Sequence, residues 1–443
     1  PDDAMCTSWK ATRERVQSPK GRASLMREWL RLQGNAGTDV LSVAGRIRNG
    51  GTRSFLSGLP RRLANNRHRR QGVPDFSHEV REAMAGCLAC KSCAGQCPVK
   101  VDVPEFRARF LELYHDRYQR PLRDYLVAGL EFAVPLLSRG AAIYNGVLRL
   151  PGAERLSEHL LGLCDLPRLS PRRLRTRLTR LGAEPATPAR LARLSPAEKA
   201  RSVILVQDAF TTFFDARVVA DAVELLTRLG IRVLVAPFAA NGKPMQVHGF
   251  LGAFERVARR QALRLRALAV HGIPLIGIDP AMTLTYRQDY RRALGPEAVP
   301  EVQLLQEWMA ANTGELKHPP SPGRGRSYRL LSHCTEATTL SRASRDWQAV
   351  FAAFGCELEL VPTGCCGMSG TYGHEARNRD TSRRIYDLSW REVTEAVDAP
   401  PALATGYSCR SQVQRFSGLD IAHPVQALLA TLRDAGAADR TGV

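Results

Sequence analysis

The sequence has no long uninterrupted run of apolar residues. Its most apolar stretch, residues 125–148, contains Glu131, Pro135 and Arg139, and a bilayer-spanning helix rarely tolerates these three together. The first residues, PDDAMC, also lack the apolar segment of a secretory leader. These absences predict a cytoplasmic protein without a transmembrane span, and they leave open a peripheral contact with the inner face of a membrane.

Acidic residues are scarce relative to basic ones. The chain has 43 Asp and Glu against 63 Lys and Arg, which gives a formal net charge of +20. Such an excess can attract nucleic acid, an anionic membrane or an acidic protein partner. The arginines are spread along the faces of expected helices, and no nucleic-acid-binding module accompanies them. We therefore expect solvated helix surfaces or an acidic redox partner, and no nucleic-acid ligand; a non-enzymatic, basic metal protein is the rival hypothesis.

Cysteine, by contrast, is abundant, with 11 residues in 443. Closely spaced groups of cysteines in this context predict a reducing compartment. Four of them form the run Cys87-x2-Cys90-x2-Cys93-x3-Cys97-Pro98, the spacing of bacterial [4Fe–4S] ferredoxin loops. A zinc knot or a disulfide-rich loop is the alternative, but zinc sites normally use two well-separated C-x2-C pairs. Cys164 and Cys356 match no motif and are expected in ordinary apolar surroundings.

The pattern of the chain changes near residue 200. Residues 1–170 have helical periodicity, with the cysteine run on a loop between helices. After residue 200, short apolar strands alternate with amphipathic helices, and this pattern recurs after about 125 residues. The length suggests about three domains. The sequence therefore predicts a multidomain fold, an all-α domain followed by a duplicated α/β domain with parallel sheets, with strands at 203–206, 232–235, 274–278, 328–331, 357–361 and 402–404 and a long helix at 377–397.

The second α/β copy carries four cysteines immediately after its expected strands: Cys334, Cys365, Cys366 and Cys409. The carboxyl ends of parallel strands converge on one crevice, where such folds bind ligands. The matching positions of the first copy hold Asp208, Ala240-Asn241 and Met282. A site that is complete in one copy and erased in the other indicates a functional unit. Zinc, a second iron–sulfur centre and a reversible dithiol–disulfide pair all remain open for it.

These residues resemble a known family. The pattern Cys334 … Cys365-Cys366-Gly367 … Cys409 is similar to the cysteine-rich CCG domain of heterodisulfide reductase subunits and of the anaerobic glycerol-3-phosphate dehydrogenase iron–sulfur subunit. A closer resemblance is to the carboxyl-terminal iron–sulfur part of bacterial FAD-linked oxidoreductases of the D-2-hydroxyglutarate dehydrogenase and glycolate oxidase type. It is carried by Met5-Cys6-x-Ser8, Ser18-x-x-Gly21-Arg22-Ala23, Asn241-Gly242-Lys243-Pro244 and Thr405-Gly-Tyr-Ser-Cys409-Arg-Ser-Gln412.

The resemblance implies a set of ligands and a division of the chain. Cys87, Cys90 and Cys93 would hold one [4Fe–4S] cluster with Cys6 as the fourth ligand, while Cys97 would serve a second cluster or act as a fallback ligand. Composition and the resemblance together divide the chain into an N-terminal cluster-flanking segment (1–36), a basic connection (37–80), a helical [4Fe–4S] ferredoxin-type domain (81–170), a basic linker (171–199), a degenerate CCG α/β domain (200–295) and a CCG cysteine-rich α/β domain (325–432). The connection and the linker match the family poorly.

The resemblance also implies a function. Electrons from the FAD of a 2-hydroxy-acid dehydrogenase would pass through the [4Fe–4S] cluster towards the cysteine-rich domain or an external acceptor, a quinone or a redox protein. The family's flavin-binding half is missing from the sequence and position 1 is not Met, so we expect part of such an enzyme, not catalytic by itself, that partners a flavin-binding domain or subunit. The alternative is a heterodisulfide-reductase-like catalyst that uses the second group of cysteines.

Several other side chains are expected near these sites. His333, beside Cys334, is either its partner or an exposed residue, and residues 241–243 with His248 are expected to pack against the flavin half. Four basic residues would raise the cluster potential by stabilising its reduced form, unless they lie on a solvated helix face: Lys91, Lys100, Arg107 and Arg109.

Overall fold

Helices make up 62% of the structure, and two small parallel sheets lie in its second half. The computed structural model describes residues 5–99, 101–171, 173–317, 322–340 and 342–441. Lys100, expected near the first cysteine run, lies outside the described residues. The coarse prediction of a helical part followed by parallel α/β structure is confirmed.

The amino-terminal part is a group of helices that surrounds the first cysteine run. Ser18 begins one of them by accepting a hydrogen bond from the Gly21 backbone N–H, and Asp102 does the same for a later helix through the Glu105 N–H. The helices are α1 (Thr7–Thr12), α2 (Pro19–Asn35), α3 (Val40–Ser57), α4 (Leu59–Arg70), α5 (Ser77–Ala85), α6 (Ser92–Gln96), α7 (Val103–Arg117), α8 (Leu122–Leu137), α9 (Ala141–Val147) and α10 (Ala153–Leu161).

A small aromatic core holds α2, α5 and α7 together. Trp29 packs edge-on against Phe110, and Val80 and Met84 are fully buried beside them. Residues 37–80 are more helical than expected from their Gly, Asn and Arg content, because tertiary contacts override weak propensity. Arg48 of α3, for example, forms ion pairs at 3.0 Å with both Glu112 and Glu255.

The first α/β unit follows. Its elements are α11 (Leu174–Arg180), β1 (Glu184–Pro185), α12 (Pro188–Ala192), α13 (Pro196–Ala200), β2 (Ser202–Leu205), α14 (Ala209–Phe213), α15 (Ala216–Arg228), β3 (Arg232–Val235), α16 (Lys243–Val247), α17 (Leu251–Ala269), β4 (Leu275–Gly277), α18 (Pro280–Thr285), α19 (Arg291–Leu294), β5 (Val302–Leu304) and α20 (Leu305–Ala311). The five parallel strands have the order β1-β3-β2-β4-β5. Both edge strands lie outside the expected segment 200–295, since 171–199 contributes β1 and is more than a linker.

The second α/β unit repeats the central part of the first. Its elements are β6 (Ser327–Leu331), α21 (Cys334–Thr339), α22 (Ala343–Ala353), β7 (Glu357–Leu360), α23 (Arg379–Asp387), α24 (Arg391–Glu395), β8 (Ala402–Ala404), α25 (Tyr407–Ser417) and α26 (Pro424–Thr441). The order β7-β6-β8 places the first strand between the second and third, as β3-β2-β4 does in the first unit. This shared order agrees with the predicted duplication.

The single long helix expected at 377–397 is wrong. The chain forms α23 and α24 instead, and the break lies next to Trp390. This tryptophan is fully buried and its indole N–H donates to the Gly364 carbonyl oxygen over 2.9 Å. A straight helix would have to remove a large side chain and its polar atom from that site.

The two α/β units share one apolar core. Helix α15 of the first packs against α26 of the second, and α20 packs against α22. Leu226, Met309 and Phe351 are among the fully buried residues of this core. The carboxyl ends of β2–β4 and β6–β8 face the helical part. Residues after these strands line one cavity together with the first cysteine loop.

Among the described residues, one helical stretch, Leu122–Val147, is long and apolar enough to cross a membrane. It comprises α8, a short 3-10 turn and α9. Its inner side packs against the first α/β unit, since Glu131 accepts hydrogen bonds from the backbone N–H groups of Asn241 and Gly242.

Candidate metal centre

The first cysteine run lies on the connection between α5 and α7. Ala89 and Lys91, on either side of Cys90, have φ angles of 52° and 61°, a conformation that non-glycine residues seldom adopt. Such strained backbone is usually kept where the surrounding structure requires it. Here the turns form the wall of a small cavity lined by Cys87, Cys90 and Cys93.

Cys6 lines the same small cavity. It is buried at the start of α1, and its thiol lies 3.3 Å from the Gln17 carbonyl oxygen. The structure therefore brings together Cys6, Cys87, Cys90 and Cys93, which we call the first cysteine set. Cys97 does not line this cavity; its backbone N–H donates to the Cys93 carbonyl oxygen, and it lies partly exposed at the end of α6.

Burial raises the pKa of two thiols of this set. It raises the pKa of the Cys90 thiol to about 12, and the nearby Cys334 thiol adds to the rise. Burial and the Cys87 thiol raise the pKa of Cys93 to about 12. Thiols in such surroundings stay protonated at neutral pH unless a metal supplies positive charge. The donor set thus fits a metal centre that binds with release of protons.

Arg22 belongs to the motif Ser18-x-x-Gly21-Arg22-Ala23, and its contacts show how this motif supports the first cysteine set. The side chain is almost fully buried, and its guanidinium lies 3.6 Å from the Cys6 sulfur. It also donates to the Ser8 hydroxyl over 3.0 Å and to the Ala83 carbonyl oxygen over 2.8 Å. Arg22 therefore fixes Cys6 relative to α5, which leads into the cysteine loop.

Lys91 is buried rather than solvated. Its ammonium group pairs with Asp289 at 3.2 Å, and the other carboxylate oxygen of Asp289 pairs with Lys243 at 2.7 Å. Burial raises the pKa of Asp289, but the two lysines outweigh it and lower that pKa to about 2. Arg107 is also buried and bonded to backbone carbonyls, whereas Arg109 is exposed and pairs with Glu105.

Four further cysteines form the second cysteine set, Cys334, Cys365, Cys366 and Cys409. Each follows the carboxyl end of a strand of the second sheet. The thiols are neighbours in series, since Cys334 interacts with Cys365, Cys365 with Cys366 and Cys366 with Cys409. The interaction with Cys365, together with burial, raises the pKa of the Cys334 thiol well above its usual range.

The arrangement of the cysteines bears on which metal group the two sets could hold. Within the part of the chain that the structure describes, no three Cys, His, Asp or Glu side chains are arranged to hold one metal ion. A tetrahedral zinc ion would need four sulfur atoms at about 2.3 Å from one centre. The ligands of a cluster surround several iron and sulfide atoms and lie farther apart. Soft thiolates are ligands of both zinc and iron–sulfur groups, so the donor chemistry of the two sets fits either.

His333 and Gly406 pack closely beside the second cysteine set. His333 is buried and caps α21, where its Nδ1 accepts from the Thr335 backbone N–H over 3.2 Å. A methyl group on Gly406 would lie 2.4 Å from the His333 ring and 3.2 Å from the Cys409 sulfur. The alternative of an exposed His333 is wrong, because the backbone of residue 406 lies directly against its ring.

Buried polar side chains form hydrogen bonds around the second cysteine set. The Gln412 amide donates to the Cys366 carbonyl oxygen over 2.9 Å. Glu336, two residues after Cys334, accepts from the Gln306 amide and the Thr405 hydroxyl. Burial raises the pKa of Glu336 to about 8. Gln412 could have been found from the sequence, since it ends the Thr405–Gln412 motif, whereas no pattern pointed to Glu336.

The two cysteine sets adjoin each other. Cys90 and Cys334 line one cavity of about 100 Å³, together with His333, Asp279 and Lys243. The Thr338 hydroxyl of α21 lies 3.2 Å from the Cys90 carbonyl oxygen. The Ser369 hydroxyl donates to the Leu88 carbonyl oxygen. These contacts place the first loop directly on the crevice of the second sheet.

The erased copy replaces thiols by hydrogen-bonding groups. Asp208, at the position of Cys334, caps α14 by accepting from the backbone N–H groups of Phe210 and Thr211. Burial and the nearby Asp279 carboxylate raise the pKa of Asp208 to about 7. The Asn241 amide donates to the Met282 carbonyl oxygen over 3.0 Å. At the positions where the second copy has cysteines, the first copy therefore has side chains and backbone groups that bond to each other.

The residues of the first copy that were expected to face a flavin half have partners within this chain, and the contact with a flavin half stays a prediction. The Gly242 backbone N–H binds Glu131, and Lys243 binds Asp289. His248 lies 3.6 Å from Asp124 and 3.2 Å from the Thr371 hydroxyl. These residues therefore pack within this chain. Cys164 and Cys356 are buried as expected, and Cys164 accepts from the Arg415 guanidinium over 3.2 Å.

Comparison with known proteins gives two groups of relatives. The chain is 54% identical over 429 residues to D-2-hydroxyglutarate dehydrogenase of Pseudomonas putida and 46% identical over 430 residues to that of Escherichia coli K12, covering 97% of this chain in both cases. It is 24% identical over 222 residues to one subunit of the anaerobic glycerol-3-phosphate dehydrogenase of Escherichia coli, covering 48% of this chain and 54% of that protein. No protein-family model matches the sequence.

The chain spans 42% of the length of these two D-2-hydroxyglutarate dehydrogenases. The predicted resemblance to D-2-hydroxyglutarate dehydrogenases and, more distantly, to a subunit of anaerobic glycerol-3-phosphate dehydrogenase is confirmed. The expectation that this chain lacks a flavin domain and is not catalytic gains no support, since the matches run along almost all of it.

Proposed function

We propose that this chain carries the iron–sulfur centres through which a flavin-dependent dehydrogenase of 2-hydroxy acids passes electrons to an acceptor. The observation that carries the proposal is the convergence of Cys6, Cys87, Cys90 and Cys93 on one cavity, with Cys90 also facing the cavity of Cys334. The relatives named D-2-hydroxyglutarate dehydrogenase support the substrate class. A flavin is the cofactor that such an oxidation implies.

The first cysteine set would hold a [4Fe–4S] cluster, which supplies a carrier for one electron at a time. Leu88, Val103 and Pro104 form apolar walls of the cavity and would keep water from the sulfur atoms. Arg22 orients Cys6 and places positive charge beside its thiolate. Solvent exclusion and hydrogen bonds to sulfur are the two means by which a protein tunes the potential of such a group.

The second cysteine set would accept electrons from the cluster on the first set. Cys90 belongs to the first set and lies beside Cys334 of the second, so the two sets meet through one pair of residues. Thr338 and Ser369 form hydrogen bonds with the first cysteine loop, and these bonds hold Cys90 next to Cys334. A rigid, short separation favours electron transfer over side reactions of an exposed thiol.

The test uses the full chain, purified without oxygen, with iron, acid-labile sulfide and EPR signals measured per chain. We expect about four iron and four sulfide from the first set, and Cys6→Ser should lose most of the cluster absorbance. Cys164→Ser, a buried cysteine outside both sets, is the matched control and should keep it. Absence of iron would overturn the proposal; an intact cluster in Cys6→Ser would remove Cys6 from it.

A second candidate is catalysis at the second cysteine set, as in heterodisulfide reductases. The observation in its favour is the cavity beside Cys334, which Asp279 and His333 line with polar groups. An additional, atypical paramagnetic centre that changes on addition of a disulfide would favour this candidate. A spectrum of one cluster without any response to disulfides would favour the relay.

A further inference from the structure

Helices α8 and α9 have an unusual distribution of apolar side chains. Nine large apolar residues in and just after them point to solvent at helical spacing, and they define what we call the apolar face: Leu122, Tyr125, Leu126, Phe132, Leu136, Leu137, Ile143, Val147 and Leu150. Leu136 is 64% exposed and Ile143 is 75% exposed. Soluble proteins seldom expose so many large apolar side chains along one continuous strip.

The polar residues of the same helices point inwards. Asp124 and Glu131 are both buried, Asp124 beside His248 and Glu131 against the backbone of Asn241 and Gly242. A surface helix normally buries its apolar side and exposes its charged side. The inner side of α8 also buries Val127 and Val134, so α8 carries apolar side chains on both sides and its exposed side lacks the usual polar cover.

The exposed charges along the apolar face, from residue 122 to residue 150, are positive, and the first exposed carboxylate after it is Glu154. Residues 125–153 contain one carboxylate, the buried Glu131, whereas Arg139 and Arg149 are exposed. The Asn145 side chain donates to the Leu169 carbonyl oxygen over 2.8 Å, which places the basic segment that begins at Arg168 beside α9. Exposed arginines near an apolar strip complement the phosphate groups of anionic lipids.

We propose that the apolar face binds the surface of an anionic lipid bilayer, with α8 and α9 lying in the interface. A membrane-spanning arrangement is excluded by the inner contacts of Asp124 and Glu131, which keep one side of α8 on the protein. A second copy of the chain is a poorer partner, because its arginines would meet arginines of like charge. The face also offers hardly any hydrogen-bonding groups, which protein interfaces normally contain.

The arrangement connects the lipid surface with the cysteines. Val127 of α8 is buried and lines the cavity that Cys90 and Cys334 share, while its neighbour Leu126 belongs to the apolar face. The thickness of one helix, about 10 Å, therefore separates that cavity from the lipid. Under the function proposed above, an acceptor dissolved in the membrane could take electrons through α8.

The test measures binding of the full chain to sedimented vesicles of phosphatidylcholine with and without phosphatidylglycerol, at low and high salt. We expect binding to the anionic vesicles that weakens with salt. Phe132→Ser, Leu136→Ser and Ile143→Ser combined should weaken it at least about tenfold, because each side chain loses apolar burial. The matched control combines Leu41→Ser, Leu263→Ser and Val270→Ser, which are equally exposed apolar residues elsewhere, and should bind as the unmodified chain does.

A second variant separates lipid binding from a folding defect. Arg139→Gln with Arg149→Gln leaves the apolar residues in place and should reduce binding to anionic vesicles roughly tenfold, with unchanged circular dichroism. Absence of vesicle binding, or equal losses in the face and control variants, would overturn the proposal. The proposal would also be overturned if the chain did not bind vesicles but formed a dimer, and if the substitutions in the apolar face abolished that dimer. Vesicle binding needs no metal, so its outcome is independent of the iron and EPR measurements.

Discussion

Gly95 of the first cysteine loop touches Thr338 of α21 so closely that a methyl group on Gly95 would lie 2.8 Å from the Thr338 carbonyl oxygen. This approach joins the loop of the first cysteine set to the helix that begins at Cys334. The relation between the two sets therefore depends on a residue without a side chain.

Gly95→Ala should separate the loop from α21. The added methyl group has to displace backbone, so we expect a loss of about 1–3 kcal/mol in the free energy of unfolding and faster alkylation of Cys90 and Cys334 in metal-free protein. Gly34→Ala, in α2 with open space around it, is the control and should be neutral or stabilising. Unchanged alkylation in Gly95→Ala would contradict the close contact.

Gly406→Ala should disturb the second cysteine set alone. Its methyl group would collide with the His333 ring and crowd the Cys409 sulfur, although the backbone at φ −85° accepts alanine. We expect a lower metal content per chain, with the EPR signal of the first set retained. Gly314→Ala, which has nothing within 4 Å, serves as the control. Full metal content in Gly406→Ala would show that His333 can move without cost.

Lys91→Met should affect stability and potential together. It leaves the buried Asp289 with Lys243 as its remaining lysine partner, which we expect to cost about 2 kcal/mol. Loss of a cation beside Cys90 should also lower the reduction potential of a cluster on the first set, measured by redox titration. Arg109→Gln removes an exposed charge nearby and should leave the potential unchanged. A potential that does not fall in Lys91→Met would exclude this role for the lysine.

Asp208 should make stability depend on pH. Its pKa rises on folding from 3.8 to about 7, so the folded state binds the proton more tightly than the unfolded state. Its favourable contribution is complete below pH 3.8 and is lost as the pH rises towards about 7. Asp208→Asn keeps a capping oxygen for α14 and should flatten this part of the thermal-unfolding profile. The exposed Asp398→Asn is the control, and equal profiles for both variants would contradict the assignment.

The sequence predicted most strands because each is a short apolar run between helices of clear period. Residues 232–235 and 402–404 were placed without error. Strands β1 and β5 were not predicted, since Glu184–Pro185 and Val302–Leu304 contain polar residues or proline and form no apolar run. The helices at 40–70 were underestimated because their stability comes from long-range partners such as Glu112 and Glu255 of Arg48.

The site could be predicted in its parts and not in its assembly. Spacing identified Cys87, Cys90 and Cys93, and the family resemblance added Cys6. No local pattern could show that Cys90 lies beside Cys334, because that contact depends on how the helical part docks on the second sheet. For the same reason, the sequence could not show that Lys91 and Lys243 both pair with Asp289.

The corner at Asn241-Gly242 matches Cys366-Gly367 of the second copy, and it fastens helix α8 through Glu131 with ordinary hydrogen bonds. One corner of the duplicated fold is thus built from amide and carboxylate groups, and the other from buried thiols, which can change oxidation state. A change of oxidation state at Cys366 would therefore leave the Glu131 hydrogen bonds that hold helix α8 untouched, because those bonds involve no sulfur.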